Sequence, residues 1–297
     1  MSDKKFTRRG FLRLGLTGAA AATAAAATSG CGFLRQHEHS IITPHPSWTT
    51  AVGTSGLSSD TPSRREIRVV SYNCHLWTGR DGKTDAWRIA DVLAPLEPDV
   101  VALQEVSRAT DSQTGAPCAE IVANQLGLNL VMDPRQDDEK FLHYHGNALL
   151  TRFPLEDLQL YDLAVPGRRR RGAFDAQLNV DNKPVRIVGT HFGLKKWERR
   201  EQVTRLLNNV LSRPRQQACV VMGDFNIWWG GSSNLDMLER HLGRSIGPST
   251  FPAHMPTVQL DRIFAAPNTT IKRLHVEDGE LAREASDHLP IWADVLV

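Results

Sequence analysis

The chain has 297 residues, 41% hydrophobic and 23% charged, which is enough apolar content for a sizeable buried core and excludes a disordered polyelectrolyte. Its formal net charge of +2 is unevenly spread. Residues 1–30 hold five Lys or Arg and one Asp; without them 30 basic face 32 acidic side chains, a net charge of −2 that lacks the broad positive field of a non-specific nucleic-acid binder.

In chain order, the first feature is Thr7-Arg8-Arg9-Gly10-Phe11-Leu12-Arg13 followed by a weakly apolar, Ala-rich segment. It matches a twin-arginine export signal, and Ala, Thr and Gly supply too little transfer energy for a spanning helix. Thr28-Ser29-Gly30-Cys31 resembles a lipobox, with Thr28 where Leu is usual, so Cys31 is an expected lipidation site and cleavage near the Ala run is the alternative. Residues 31–65 are rich in Ser, Thr, Pro and Gly and read as a flexible tether, in which His37, His39 and His45 read as solvated linker residues, with metal binding as the alternative. Cys74, Cys118 and Cys219 cannot all pair, and they read as buried small hydrophobes.

From residue 66 onward strands and helices alternate. Strands are expected at 67–72, 100–103, 147–151 and 158–163, and helices at 85–96 and 119–126, the second closing at Gly127. Residues 173–180 and 185–190 read as a hairpin joined by Asp181-Asn182-Lys183. Val203, Leu206, Leu207, Val210 and Leu211 share one face of a helix over 197–211. Strands follow at 218–222, 259–265, 271–276 and 291–296. Hairpins mixed with helix-linked strands predict a single α/β sandwich over 66–297.

Polar groups recur where these strands run out. Asn73 ends VVSYN, Glu105 ends VVALQE, His191 ends VRIVGTH, and Asp224 with Asn226 end VVMGDFN. Asp261 lies in QLDRIF, and Asp287-His288 precede LPIWADV. Residues two apart at a strand end point the same way, so Asp224 and Asn226 can converge on one ligand. Each group alone also reads as a turn or strand-end cap. Six strand-like runs delivering amides, carboxylates and two histidines point to a site at the strand ends.

The ordered series SYNCH, LQEV, HGNALLTR, GTHFG, GDFN, LDRIF and SDHLP resembles the endonuclease/exonuclease/phosphatase superfamily, DNase I-like, across roughly residues 66–297. The resemblance implies a four-layer α/β/β/α sandwich in one catalytic domain and a metal-dependent phosphoric-ester hydrolase. It implies Mg²⁺, with Mn²⁺ as a substitute, held by Glu105 with Asn73 beside it and Asp287 contributing. It gives Asp224 the attacking water and Asn226 the phosphate. It gives His288 the scissile phosphate with Asp261 orienting its ring, and His191 the leaving oxygen. Asn147 and Arg171 match residues that line the phosphate pocket, while Arg168–Arg170 and Lys195–Arg200 read first as solvated charge. Trp228 and Trp229 follow GDFN and read as packing, with lipid or base contact as the alternative. Tyr144 and His145 receive no role.

Together these readings describe a monomer exported by the twin-arginine translocase and held at a periplasmic or cell-surface membrane by a lipid anchor. Its expected substrate is a small or lipid-linked phosphate ester such as a phospholipid. The alternatives are an extracytoplasmic endo- or exonuclease and a non-catalytic binding lipoprotein.

Overall fold

The computed structural model describes residues 41–43, 64–132, 146–212, 217–228, 232–245, 247–266 and 269–297. The export signal, Cys31, most of the expected tether, Tyr144, His145 and Trp229 lie outside the described residues. The strands are β1 (Ile41–Thr43), β2 (Glu66–Asn73), β3 (Val100–Val106), β4 (Asn129–Met132), β5 (Gly146–Thr151) and β6 (Leu155–Asp162). They continue as β7 (Gly172–Val180), β8 (Lys183–His191), β9 (Ala218–Asp224), β10 (Asp261–Ala265), β11 (Thr270–Val276) and β12 (Ile291–Leu296). The helices are α1 (Ala86–Leu93), α2 (Cys118–Leu126), α3 (Lys196–Arg205), α4 (Ser233–Leu242) and α5 (Glu280–Ala285).

One sheet runs β1-β4-β5-β3-β2-β12-β11 and the other β10-β9-β8-β7-β6. Each is mixed: β2 and β3 are parallel in the first, β8 and β9 in the second, and the remaining pairs are antiparallel. The apolar runs follow from burial on both faces. In β2, Ile67 and Val69 enter the core between the sheets, while Val70 and Tyr72 lie under α1 and α2. In β9, Val220 and Met222 face the opposite sheet, while Cys219 and Val221 lie under α3 and α4. The order of layers is therefore helix, sheet, sheet, helix.

Several elements differ locally from expectation. The helix at 85–96 divides into α1, capped by Asp85 accepting from Arg88 N, and a 3₁₀ turn at Ala94–Leu96 that Pro95 starts. The helix at 197–211 divides into α3 and a π turn at Leu206–Val210. Within the segment read as a tether, β1 adds an edge strand to β4. The parallel pairs β2/β3 and β8/β9 have a further consequence: they run in the direction that gathers Asn73, Glu105, His191 and Asp224 at one rim.

Cys74, Cys118 and Cys219 are all free and buried. Burial pushes the Cys118 thiol up to about 11 and the Cys219 thiol up to about 12, and raises Cys74 as well. Native protein at pH 8 should therefore resist iodoacetamide at all three positions and label fully in denaturant. Mass spectrometry of the alkylated peptides checks this, and rapid native labelling of any one of them would contradict its burial.

Candidate active site

Asp224, the last residue of β9, is the centre of the arrangement. Its Oδ2 accepts from Asn73 Nδ2 at 3.1 Å and from Asn226 Nδ2 at 3.2 Å. The same oxygen lies 3.3 Å from His191 Nε2 and 3.8 Å from His288 Nε2. Its Oδ1 accepts from the Asn226 backbone N–H at 2.8 Å. The carboxylate thus draws together β2, β8, β9 and the loop before β12.

The chain reaches this geometry through local backbone features. Gly223 has φ +151°, and a Cβ there would overlap the carbonyl oxygen of Thr190 on the adjacent strand, so close strand approach requires glycine. Asn226 sits in the left-handed region at φ 51°, which short polar side chains tolerate, and this turns its amide back onto Asp224. Glu105 also has positive φ, 54°, at a bulge between the Leu103 and Val106 pairings. That irregularity re-aims its side chain, and Oε1 comes to 3.9 Å from His191 Nε2.

His191 is held from both sides. Arg171 Nη1 lies 3.2 Å from His191 Nδ1. A guanidinium only donates, so Nδ1 accepts and the ring proton resides on Nε2, which faces Asp224. Asn226 Nδ2 also lies 3.2 Å from His191 Nε2, but its protons serve Phe192 O and Asp224 Oδ2. Asn226 Nδ2 therefore bridges Asp224 and the chain after His191.

His288 Nδ1 is 2.8 Å from Asp261 Oδ2, which also accepts from Thr250 Oγ1 at 2.6 Å. Burial opposes charge on His288, but Asp261 and Asp224 outweigh it and push the imidazole up to about 10. Burial would raise Asp224; the His191 and His288 rings instead hold it well below the usual carboxylate range. Asp261 is raised, chiefly by burial, and its Oδ1 has no hydrogen-bond partner among the described residues.

The structure brings the other expected residues to this rim in different ways. Asn147 donates to Gly172 O at 3.1 Å and so braces the backbone beside Arg171. Arg171 is buried, which lowers its pKa, and its Nε has no partner among the described residues. Asp287 lies at the solvent edge, 3.9 Å from His75 Nδ1. Ser286 Oγ anchors that loop on Asn73 O at 2.7 Å. Thr250 and Phe251, whose ring centroid is 4.9 Å from that of His288, belong to the site although sequence reasoning missed them. No motif marked the TFPAH segment, since its role depends on contacts with residues distant in sequence. Trp228 is partly exposed and packs edge-on against Phe251.

Two donor sets could meet a cation. Asp224, Asp261 and His288 place ligand atoms within 4.8 Å of one another. There, however, His288 Nδ1 and Asp261 Oδ2 already share a proton. Glu105, Asn73 and Asp287 would supply oxygens only: Asn73 is paired in register with Gln104, the residue before Asp287 is bonded to Asn73 O, and Asn73 Oδ1 also accepts from the His75 N–H at 3.1 Å. Carboxylate and amide oxygens at a partly open rim fit a hard divalent cation that keeps several waters.

The sequence model of the Endonuclease/Exonuclease/phosphatase family matches residues 70–288, and the chain belongs to that family of phosphoester hydrolases, which generally use a divalent metal. It is 30% identical over 260 residues to the uncharacterized protein YbhP of Escherichia coli (strain K12), covering 80% of this chain and 98% of that one. An endonuclease/exonuclease/phosphatase from Beutenbergia cavernae DSM 12333 shares the fold with TM-score 0.63 and 23% identity, over 79% of this chain and 72% of that one. The mannosyl-6-phosphatase Bt3783 of Bacteroides thetaiotaomicron VPI-5482 shares it with TM-score 0.64 and 17% identity, over 78% and 100%.

The His288 shift has a definite sign. Its folded pKa is raised from 6.5 to about 10, so its contribution to stability is complete below pH 6.5 and is lost as pH rises through about 10. In metal-free protein, Tm should fall between pH 7 and pH 10 more steeply for wild type than for His288→Gln. Parallel thermal melts check this, and identical slopes would contradict the shift.

Proposed function

We propose that the protein is a Mg²⁺-dependent hydrolase of small or lipid-linked phosphate esters, with Mn²⁺ as a substitute metal. The observation that carries this reading is the buried Asp224 carboxylate ringed by two amides and two imidazoles. Glu105, Asn73 and Asp287 would hold the cation, which supplies charge neutralisation on the phosphate oxygens. Asp224, ionised and fixed by Asn73 and Asn226, orients the attacking water. His288, cationic at neutral pH and set by Asp261, donates from Nε2 to the phosphoryl group. Arg171, buried behind His191, adds positive charge beside the same group, with Asn147 bracing its backbone. His191 is a neutral imidazole whose one proton the Arg171 hydrogen bond fixes on Nε2, so it can stabilise the leaving oxygen by a hydrogen bond when that N–H turns from Asp224.

A small ester is favoured over duplex nucleic acid because many of the described arginines are already matched. Arg68 with Asp294, Arg88 with Asp81, Arg152 with Asp99, Arg168 with Glu198 and Arg186 with Asp175 are ion pairs. Duplex binding by charge needs about 6–10 phosphate contacts on one face. The fold relative Bt3783 is a mannosyl-6-phosphatase, which supports a small phosphate ester as the substrate class.

Asp224→Ala, His288→Ala and Glu105→Ala should each lower kcat by at least ~100-fold, since positioned acid–base groups contribute ~10²–10⁴-fold. EDTA should abolish turnover of bis-p-nitrophenyl phosphate, and Mg²⁺ should restore it. Undiminished activity in EDTA would sink the metal assignment. Comparing kcat/KM on head-group or phospholipid esters with plasmid nicking at equal ionic strength tests the substrate class; efficient nicking alone would promote the nuclease reading.

The twin-arginine segment and Cys31 support export and membrane anchoring as part of this proposal. Among the described residues no helix is long and apolar enough to cross a membrane. Replacing Arg8 and Arg9 by Lys should leave a cytoplasmic precursor, and mass spectrometry of the mature N-terminus should find an acylated Cys31. An unmodified terminus downstream of Cys31 would remove the anchor.

A further inference from the structure

Three residues beyond His191, the chain presents Leu194-Lys195-Lys196-Trp197. All four are exposed, with Leu194 at 59% and Trp197 at 57%, among the largest exposures of any big apolar side chain described. A large aliphatic and an indole three residues apart, both exposed beside the rim, mark a candidate contact surface. Between them lie two ammonium groups with no carboxylate partner among the described residues.

The backbone beneath this segment is fixed. Arg199 Nη1 donates to Leu194 O at 2.6 Å and to Gly193 O at 3.2 Å. Gln202 Oε1 accepts from Gly193 N at 2.8 Å, and Asn234 Nδ2 donates to Lys196 O at 3.0 Å. Glu198, almost wholly buried, binds Arg168 at 3.1 Å and so ties the basic 168–170 loop to the first turn of α3. The four exposed side chains therefore project from a braced platform, and little order remains to be imposed when they meet a partner.

We infer that Leu194–Trp197 is a docking ridge that seats the active-site rim on an anionic lipid surface. Trp and Leu bury in the interfacial zone while the flanking Lys ammoniums meet lipid phosphates, the division of labour that aromatic and basic residues show at membrane boundaries. Charge complementarity selects an anionic bilayer. The exposed Leu194 argues against nucleic acid, which offers an aliphatic side chain no comparable burial. The ridge begins two residues after Phe192, whose backbone N–H bonds the Asp224 backbone carbonyl at 2.9 Å, so docking would bring a lipid head group toward the rim. This inference deepens the lipid-linked substrate reading and rests on it only for the activity measurement.

The test uses the full chain and vesicles of phosphatidylcholine containing about one-third phosphatidylglycerol, an anionic surface of the kind basic side chains recognise. Brominated phosphatidylcholine should quench wild-type fluorescence more than that of Trp197→Phe, which isolates Trp197 from any binding by the N-terminal segment. Leu194→Ser/Trp197→Ser and Lys195→Gln/Lys196→Gln should each weaken the vesicle association that remains in the N-terminally identical wild type by at least ~10-fold. Both should lower turnover of vesicle-borne ester while leaving turnover of bis-p-nitrophenyl phosphate unchanged. Circular dichroism confirms that these exposed replacements fold. Equal quenching of wild type and Trp197→Phe, or unchanged vesicle association of both double variants, overturns the ridge. Loss of DNA binding without loss of vesicle binding overturns it in favour of a nucleic-acid contact. Vesicle docking without hydrolysis of any lipid ester leaves the ridge standing and removes the lipid substrate; lipid hydrolysis indifferent to the ridge does the reverse.

Discussion

Everything at the rim depends on keeping one buried carboxylate ionised. Asp224 is nearly inaccessible to water, and in an apolar interior it would take up a proton. It stays charged because Asn73, Asn226 and His191 donate to it and His288 lies close by as a cation. Each donor is itself held: Asn73 O by Ser286, His191 by Arg171, His288 by Asp261 and Asn226 by Phe192 O. Removing one partner from such a network leaves a buried charge short of compensation, which costs far more than a surface contact would.

That dependence explains the architecture. Two parallel pairs, β2/β3 and β8/β9, point their C-terminal ends to the same side, and antiparallel neighbours fill out the sheets. The sheets must pack face to face for Asn73 on one to reach Asp224 on the other. The core between them includes Ile67, Val69, Val220 and Met222, and the polar cluster lies beyond them at the strand ends.

Much of this was legible in the sequence because double-sided burial leaves continuous apolar runs. Those runs located β2, β3, β8, β9 and β12, and polar residues at their ends marked the rim. Short or amphipathic pieces were harder to read. Strand β4 has only four residues, and α4 follows a stretch whose pattern alone does not distinguish helix from loop. At the site, residue identities were readable but their partners were not. Nothing in the spacing shows that Arg171 meets His191, that Asn226 bonds Asp224, or that Thr250 braces Asp261, since each pairing spans distant or sharply turned chain. The paired arginines were equally hidden, and they change how the basic residues bear on the substrate.

The hydrogen bond from Asn73 on one sheet to Asp224 on the other also makes the protein a reporter of its own folding. A chain with one sheet formed and the other loose would hold half of the rim groups and no complete arrangement of them. Activity then appears only with the last cooperative step, the closing of the sandwich, so a partly folded intermediate is chemically silent wherever it happens to form.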